Sequence, residues 1–373
     1  MNQYAEYVSP GHPDRLADAI AEGIVTAAVD QRPESLVGVE VAVHRDAVFI
    51  DGRIATGSNR IDVESIVREV YRSAGYGGRW IPDPKNLRIT SDLCEEELPL
   101  EEVDIRPFSD DQNIVIGYAC RNKATNYLPT AHWVAWDLGK RLHGFITHRK
   151  DCKDLFGPDF KVLVSLDVDQ FSGSVSWSRL ILSVLHAPGL QSEEQHRILL
   201  PLIECVLSDN EINGIPGLHS TFEPSKLILN GAGEFAIGGP EGDNGLSGKK
   251  LVIDHYGPSV PIGGGALAGK DPHKVDKCGA LRARQLAKDI VRSGIDEATV
   301  TLGWAPGGDV PFIVEAVTNH GGVRIQLPRE ELPSDKWFSI EWIVHELELT
   351  TRDWQSDLAN GYFANKEHPW EWR

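Results

Sequence analysis

Several short segments of this chain alternate apolar with polar residues, and after each set of them the apolar residues recur at helical spacing. A period of two is typical of a half-buried strand, and a period near 3.6 is typical of an amphipathic helix. The pattern predicts strands over residues 37–43, 47–50, 161–168, 179–185, 298–304, 312–317 and 323–327, and helices over residues 62–74, 192–207 and 335–347. Strands followed by a helix therefore occur three times.

A sheet covered by helices on one face, repeated three times, predicts an α+β protein of three similar domains. The approximate boundaries are an N-terminal domain over residues 1–105, a central domain over 106–226 and a C-terminal domain over 227–373. A chain of 373 residues is long enough to bury a substantial core in two or three such domains.

The charge and composition narrow the class of protein. The net charge is −18, which argues against nucleic acid or an anionic membrane as the main partner. The sequence contains no apolar run of about 18 residues and no charged-then-apolar leader, so we expect a soluble, cytoplasmic protein. Its five cysteines are scattered without CxxC spacing, which indicates reduced thiols rather than disulfides or zinc ligands.

The segment from residue 235 to residue 278 is rich in glycine, lysine and aspartate. Glycine lets backbone N–H groups approach an anion closely, and lysine supplies positive charge. Asp243, Asp271 and Asp276 carry the oxygen ligands that Mg²⁺ prefers. Two such motifs in tandem favour a polyphosphate–magnesium site over a plain glycine-rich surface loop.

One part of this segment has the spacing of a phosphate-binding P-loop, from Gly264 to Lys270. However, Asp271 occupies the position where Ser or Thr binds magnesium in that motif. Pro272 follows at once, and the next helix is predicted to begin near Lys274 instead of at the motif. We therefore reject a P-loop.

A second candidate site lies at the start of a predicted helix. Pro13 suits the first turn, where its missing N–H has no cost, and apolar residues recur every four positions from Leu16 to Ile24. His12 and Asp14 flank this start, where free N–H groups and the helix dipole favour an anion. Alone, they are better explained as a loop residue and a capping acid. Together with the glycine–lysine segment, they indicate a phosphate site.

These segments resemble the signature motifs of S-adenosylmethionine synthetases (methionine adenosyltransferases). The two long motifs are GGPEGDNGLSGKK at residues 238–250 and IGGGALAGKDPHKVDKCGAL at residues 262–281. Shorter matches are GHPDR at 11–15, DQNIVIGYA at 111–119, PDFK at 158–161 and GYFANKEHPWE at 361–371. The motifs follow the family's order over nearly the whole chain, and the two long ones are the specific ones.

The resemblance implies a fold, an assembly and a reaction. The implied fold has three α+β domains in a pseudo-threefold arrangement, with the chain crossing between domains. The implied assembly is a homodimer or a dimer of dimers, with sheets in contact and active sites between subunits. The implied substrates are ATP and methionine or a related thioether. The sulfur attacks C5′ of ATP to give S-adenosylmethionine, and the released tripolyphosphate is hydrolysed to pyrophosphate and phosphate.

The resemblance also assigns the residues that handle the triphosphate. His12 is expected to hydrogen-bond the oxygen between C5′ and the α-phosphate, and Asp14 and Asp276 each to hold one of two Mg²⁺ ions. From the residues alone, Lys161 is also explained as a surface lysine on a strand. The lysines expected to neutralise the triphosphate and its hydrolysis are Lys161, Lys249, Lys250, Lys270 and Lys274.

The remaining assignments concern the nucleotide, the amino acid and a monovalent cation. The resemblance implies Asp243 on the sugar side, Phe235 against the base, and Asp111 and Lys274 at the amino-acid substrate. Glu40 matches a glutamate that binds a monovalent cation, which adds K⁺ to the expected cofactors. From the residues alone, Phe235 is equally explained as a core residue and Glu40 as a solvated strand residue.

The chain departs from the family where the attacking substrate binds. Arg53 stands where the family has the glutamate that grips the methionine ammonium, and Ile262 replaces a histidine. Residues 94–104 are strongly acidic. Three explanations are open. The substrate binds turned around, with its carboxylate on Arg53; it lacks the free amine; or Arg53 points away while acids of residues 94–104 supply the charge.

Three functions are therefore compatible with the sequence. The first is a methionine adenosyltransferase. The second keeps the triphosphate-displacing chemistry but changes the nucleophile or the nucleotide, and Arg53 favours it. The third is a non-catalytic, nucleotide-binding regulatory paralogue. A regulatory protein has no chemical need for the intact site residues, so they disfavour the third function. These residues are His12, Asp14, Lys270, Lys274 and Asp276.

Overall fold

A computed structural model of the chain describes residues 1–372, which form twelve strands, ten α-helices and six short 3₁₀ helices. The strands are β1 (Asn2–Val8), β2 (Leu36–His44), β3 (Ala47–Thr56), β4 (Arg88–Glu97), β5 (Asn113–Cys120), β6 (Phe156–Val168), β7 (Val175–His186), β8 (Leu227–Leu229), β9 (Asn244–Leu246), β10 (Glu297–Trp304), β11 (Ile313–His320) and β12 (Val323–Gln326).

The helices separate these strands. The α-helices are α1 (Pro13–Gln31), α2 (Val63–Ala74), α3 (Leu100–Val103), α4 (Thr130–His148), α5 (Ser192–Ile212), α6 (Leu251–Asp254), α7 (Val275–Arg292), α8 (Ile340–Glu346), α9 (Trp354–Asn360) and α10 (Pro369–Trp372). The 3₁₀ helices are Pro84–Asn86, Pro224–Lys226, Gly239–Glu241, Arg329–Glu331, Asp335–Phe338 and Leu349–Thr351.

The strands of residues 1–372 form three four-stranded sheets, each built from distant parts of the chain. The β1 sheet has the order β1-β6-β7-β8, the β5 sheet has the order β12-β11-β10-β5, and the β2 sheet has the order β4-β3-β2-β9. The chain therefore passes from sheet to sheet through β1, β5 and β9. Because the sheets are not continuous in sequence, the boundaries after residues 105 and 226 stay a prediction.

Each sheet packs helices against one face. Helix α1 packs on the β2 sheet with α2 beside it, α4 and α5 cover the β1 sheet, and α7 covers the β5 sheet. The arrangement confirms the predicted α+β class with three sheet-and-helix units. The opposite faces of the β1 and β2 sheets carry exposed aromatic side chains, Tyr4 and Phe49.

Helix α1 lies at the centre of the larger of two apolar clusters. This cluster joins the β2 and β5 sheets, whereas the second cluster belongs to the β1 sheet. Leu16, Ile20 and Ile24 are fully buried, as their helical spacing predicts. Each such buried side chain contributes about 1.5–3 kcal/mol relative to exposure. The start of α1, which carries the candidate site, is therefore fixed on a rigid element.

The structure corrects one predicted element and adds others. The helix predicted over residues 335–347 is broken into Asp335–Phe338 and α8, because Ser339 between them is extended. The Ile340 N–H there donates to the Asp309 carbonyl at 3.0 Å. Strands β1 and β4 and helix α4 were not predicted. Strand β4 contains no fully buried residue, so it lacks the alternation that identifies a strand.

Candidate active site

The start of α1 holds a histidine in a fixed orientation. His12 is the N-cap residue, and its Nδ1 accepts the Asp14 backbone N–H at 3.2 Å. Because Nδ1 is an acceptor, the proton of the neutral ring lies on Nε2, which is buried without a hydrogen-bond partner in residues 1–372. Burial, and then the positive charge of Lys161, lower the pKa of His12 to about 3. His12 is therefore a neutral ring with an unused N–H donor.

Asp14 is an ionised carboxylate between two lysines. It accepts the Leu246 backbone N–H at 3.0 Å, its other oxygen bonds the Lys250 ammonium, and Lys249 Nζ lies 3.6 Å away. Burial alone raises the pKa of Asp14, but Lys250 and the Leu246 N–H hold this pKa below its usual value. The two lysines and the carboxylate therefore meet at the start of α1.

Glycine makes this meeting possible through close packing. A Cβ on Gly245 would lie 2.2 Å from the Pro13 carbonyl carbon, so only glycine lets β9 approach α1 this closely. The N–H of Gly248 donates to Asp18 at 2.8 Å. The sequence predicts that such glycines bind an anion through their N–H groups. At these two positions they instead serve the packing that brings the following lysines to Asp14.

Lys161 reaches the same region from the β1 sheet. It lies on β6 opposite Val8 of β1, just before the loop that leads to His12. Lys161, Lys249 and Lys250 line one open cleft of about 430 Å³, which Ile262 also lines. We call the α1 group the residues His12, Asp14, Lys161, Lys249 and Lys250.

A second set of charges surrounds the start of α7. Lys274 is the N-cap residue of this helix and Asp276 lies in its first turn. The Nζ of Lys270 lies 3.0 Å from Asp276 Oδ1, and the Lys274 ammonium pairs with Asp110. A Cβ on Gly265 would lie 1.2 Å from the same Asp276 oxygen. The glycine run at 263–265 therefore leaves room for the carboxylate.

Arg53 lies beside this second set on the open face of the β2 sheet. Its cross-strand partner is Gly38. The Lys274 side chain passes over this glycine, because a Cβ added to Gly38 would lie 3.9 Å from Lys274 Cε. The guanidinium donates from Nε to Glu96 Oε1 at 2.8 Å and from Nη2 to Glu102 Oε1 at 2.8 Å. Arg53 is thus paired with acids of residues 94–104. We call the α7 group the residues Arg53, Asp110, Lys270, Lys274 and Asp276.

Asp271, one of the acids considered for Mg²⁺, has a structural role. It is fully buried, and its oxygens accept the Val37 and His273 N–H groups, both at 2.9 Å, and the Arg106 guanidinium. Burial raises the pKa of Asp271, but Arg106 and His273 outweigh it and hold the pKa well below its usual value. With these partners Asp271 ties the glycine segment to β2 and is not available to a metal ion.

Asp111 and Asp110 occupy different environments. Asp111, predicted to face the amino-acid substrate, is exposed and accepts the N–H of Gln112 at 2.7 Å. The acid that reaches Lys274 is its neighbour Asp110, which the sequence did not single out. The predicted role of Asp111 therefore stays a prediction, and Asp110 joins the site.

Phe235 and Glu40 lie at the margin of the two groups. Phe235 is half-buried, and its backbone makes two hydrogen bonds with His186. The Phe235 N–H donates to His186 Nε2 at 3.0 Å, and the Phe235 carbonyl accepts the His186 backbone N–H at 2.9 Å. Glu40 is exposed on β2, faces Asp51 on β3 and accepts the Ser247 hydroxyl. Their roles in base stacking and in cation binding stay predictions.

Asp159, to which the sequence assigned no role, lies buried in β6 two residues from Lys161. It accepts the Gly239 N–H at 2.7 Å through Oδ2, while Oδ1 is buried without a partner in residues 1–372. Burial raises the pKa of Asp159 to about 6. The place of Asp159 in the PDFK motif was the available signal.

Asp243, predicted on the sugar side, is exposed, and its Oδ1 accepts the Asn244 N–H at 2.8 Å.

Asp14 and Asp276 fit one of the ways in which proteins hold magnesium. In residues 1–372, no three His, Cys, Asp or Glu side chains come together as a metal-ligand set. Mg²⁺ in nucleotide sites is commonly held by one or two carboxylates together with substrate phosphates and water. Asp14 and Asp276 are single carboxylates, each paired with lysine that a phosphate would attract. They fit this mode of binding.

Comparison with protein families matches nearly the whole chain in three parts. The N-terminal domain of S-adenosylmethionine synthetase matches residues 2–95, the central domain matches residues 108–235 and the C-terminal domain matches residues 237–372. These matches include every residue of the α1 and α7 groups.

Individual relatives agree with the family match. The S-adenosylmethionine synthase of Zymomonas mobilis is 33% identical over 98% of this chain and 95% of its own length. That of Chlorobium phaeobacteroides is 31% identical over 98% and 94%. A solved structure, described as an unusual S-adenosylmethionine synthetase from Campylobacter jejuni, has a TM-score of 0.82 and 26% identity, covering 99% of this chain and 96% of that chain.

Proposed function

Because the chain belongs to the S-adenosylmethionine synthetase family, we propose that it is a methionine adenosyltransferase. The thioether sulfur attacks C5′ of ATP, the C5′–O bond breaks, and tripolyphosphate leaves and is hydrolysed to pyrophosphate and phosphate. The observation that carries the proposal is the buried, unpartnered Nε2 of His12, whose ring lies within the electrostatic influence of Lys161 and Lys250. A fixed donor within positive charge suits a departing polyphosphate.

The chemistry needs positioning more than proton transfer. A thioether is neutral, so its attack requires no general base. Catalysis therefore depends on alignment and on stabilising charge on the leaving group. In our assignment the Nε2–H of His12 donates to the oxygen that leaves C5′. Lysine side chains neutralise the negative charge of the triphosphate and of the transition state of its hydrolysis. These lysines are Lys161, Lys249, Lys250, Lys270 and Lys274.

We assign one Mg²⁺ to Asp14 and one to Asp276. When bound, Mg²⁺ would neutralise the negative charge of the phosphates and orient the triphosphate for displacement. In the absence of nucleotide, Lys250 and Lys270 hold these carboxylates. With nucleotide bound, the same lysines move to phosphate oxygens. K⁺ at Glu40 completes the assigned cofactors, supported by the neighbouring Asp51 carboxylate.

The other assignments place the nucleoside and the amino acid. Asp243 belongs on the sugar side and Phe235 against the base, in keeping with its half-buried ring. Lys274 and Asp111 belong at the amino-acid substrate. A different nucleophile or nucleotide is the second function, and Arg53 is the observation that favours it.

We also propose an assembly and a location, which the exposed surfaces and the charge support. We assign a homodimer or a dimer of dimers with active sites at the subunit contact, supported by the open sheet faces around Tyr4 and Phe49. A fully active species of 41.1 kDa in light scattering at micromolar concentration would contradict this. Within residues 1–372 no helix is long and apolar enough to cross a membrane. We expect a cytoplasmic protein that does not bind nucleic acid.

The reaction is tested by incubating the protein with ATP, Mg²⁺ and K⁺, with and without methionine, and following the products by mass spectrometry. We expect S-adenosylmethionine, pyrophosphate and phosphate, formed only when methionine is present. Formation of ADP and phosphate would identify an ordinary ATPase instead. Activity with another thioether or another nucleotide, but not with methionine and ATP, would establish the second function.

A further inference from the structure

We propose that Glu102 binds the ammonium group of the amino-acid substrate, in place of the carboxylate that Arg53 has displaced. The inference rests on the proposed function and identifies a specificity-determining residue for it. It also selects among the three explanations for Arg53, in favour of a charge supplied by residues 94–104.

Glu102 is held by one oxygen and leaves the other unused. Its Oε1 accepts Arg53 Nη2 at 2.8 Å, whereas its Oε2 is buried and has no hydrogen-bond partner in residues 1–372. A buried carboxylate oxygen without a donor is unfavourable, and folded proteins rarely leave one. A substrate ammonium is a donor of the kind that this oxygen lacks.

The position of this oxygen fits an amino acid. Arg53 and the Lys274 side chain lie on the same sheet face, since both are next to Gly38. Lys274 pairs with Asp110 and can exchange that partner for a substrate carboxylate. A cation for the carboxylate and an anion for the ammonium therefore lie on one face of the β2 sheet, and this arrangement suits a zwitterion.

Arg53 acts here as a positioning residue. It also bonds Glu96, but that side chain is 48% exposed, against 24% for Glu102. Solvent can therefore satisfy the remaining oxygen of Glu96, and Glu102 is the acid that needs a partner. One guanidinium shared by two carboxylates leaves one net negative charge. The pair of acids thus attracts an ammonium group despite the arginine at position 53.

The first test compares methionine with 4-(methylthio)butanoate, which has the same thioether and carboxylate but no amine. For Glu102→Gln we expect the KM for methionine to rise about 10- to 100-fold, the loss typical of one charge-assisted contact. The KM for the amine-free analogue should stay unchanged. Hydrolysis of added tripolyphosphate should also stay unchanged. Glu101→Gln, an exposed neighbour on α3, is the matched control and should behave as wild type.

A second test separates ammonium binding from a merely structural pairing with Arg53. In the Arg53→Met background, Glu102→Gln should still reduce the preference for methionine over the analogue. If Glu102 only neutralises Arg53, the second substitution will leave that preference unchanged, and the inference fails.

The outcomes distinguish this inference from the proposed function. If the wild-type protein forms no sulfonium product with any thioether amino acid, both are wrong. If the wild-type protein is active and Glu102→Gln keeps the wild-type preference for methionine, only the role of Glu102 is wrong.

Discussion

The α1 group and the α7 group differ in how their charges are paired. In the α1 group two lysines, Lys249 and Lys250, share one carboxylate, Asp14, and Lys161 has no ion-pair partner in residues 1–372. In the α7 group every cation has its own carboxylate. Lys270 pairs with Asp276, Lys274 with Asp110, and Arg53 with two glutamates.

This difference indicates what each group can bind. The α1 group has surplus positive charge and an unused N–H, so a polyanion binds there without breaking many existing pairs. The α7 group offers no surplus positive charge. A ligand there must exchange partners, as a zwitterion or a phosphate–metal complex can. Substitution of Asp14 or of a lysine in the α1 group should therefore affect both steps of the reaction through the triphosphate, whereas substitution of Arg53 should affect only use of the amino acid.

The largest effect is expected for His12. His12→Ala removes a donor to the breaking C5′–O bond, so the rate of sulfonium formation should fall about 10²- to 10³-fold. Hydrolysis of added tripolyphosphate, which does not break that bond, should be less affected. Product formation in single-turnover reactions measures the first step, and phosphate release measures the second.

His12→Asn is the matched control for folding. Asparagine is a good N-cap, so this variant should keep the stability of α1, while alanine should cost about 1 kcal/mol in the free energy of unfolding. Both variants should lose synthesis alike. Near-wild-type synthesis by either variant would remove His12 from the catalytic residues and would blur the comparison of the two groups.

The next largest effect is expected for the two metal-binding acids. Asp14→Asn keeps an acceptor for the Leu246 N–H but removes the negative charge. Asp276→Asn likewise removes the negative charge that faces Lys270 at the start of α7. Each should raise the Mg²⁺ concentration for half-maximal activity about tenfold or more, in synthesis and in tripolyphosphate hydrolysis. Unchanged Mg²⁺ dependence in both variants would show that the ions are held elsewhere.

The sequence predicted the α1 group better than the α7 group, for a physical reason. His12 and Asp14 are fixed by a helix start, which proline and a periodic apolar stripe identify locally. The pairing of Arg53 with Glu102 depends on how β4 and α3 lie against β3, and the acidic residues of these two elements carry no periodic signal. Likewise, the role of Gly245 depends on Pro13, which is distant in sequence and faces it only in the fold.

A smaller effect is expected for Arg53 itself. Arg53→Met retains the length of the side chain but releases Glu102, so kcat/KM for methionine should fall about three- to tenfold. Tripolyphosphate hydrolysis should not change. Arg53→Lys keeps the charge but loses the planar fork, and an intermediate value is expected. An equal loss in synthesis and in hydrolysis would show that the two groups do not act separately.

The smallest effect concerns Asp159, an acid beside the surplus positive charge of the α1 group. Its pKa is about 6 in the folded protein because of burial, above the value of 3.8 for a free side chain. Between these values the folded state binds more protons than the unfolded state, so stability falls as pH rises through this window. Above pH 6 the buried, ionised carboxylate destabilises the folded state by the full amount.

Asp159→Asn should therefore raise the free energy of unfolding by roughly 1–3 kcal/mol at pH 7.5 and by little at pH 3.5. Asparagine retains an acceptor for the Gly239 N–H, so the difference reports the charge alone. Urea unfolding at both pH values provides the measurement. An equal stability change at the two pH values would mean that Lys161 already compensates the charge, and that the surplus in the α1 group is smaller than its ion pairs suggest.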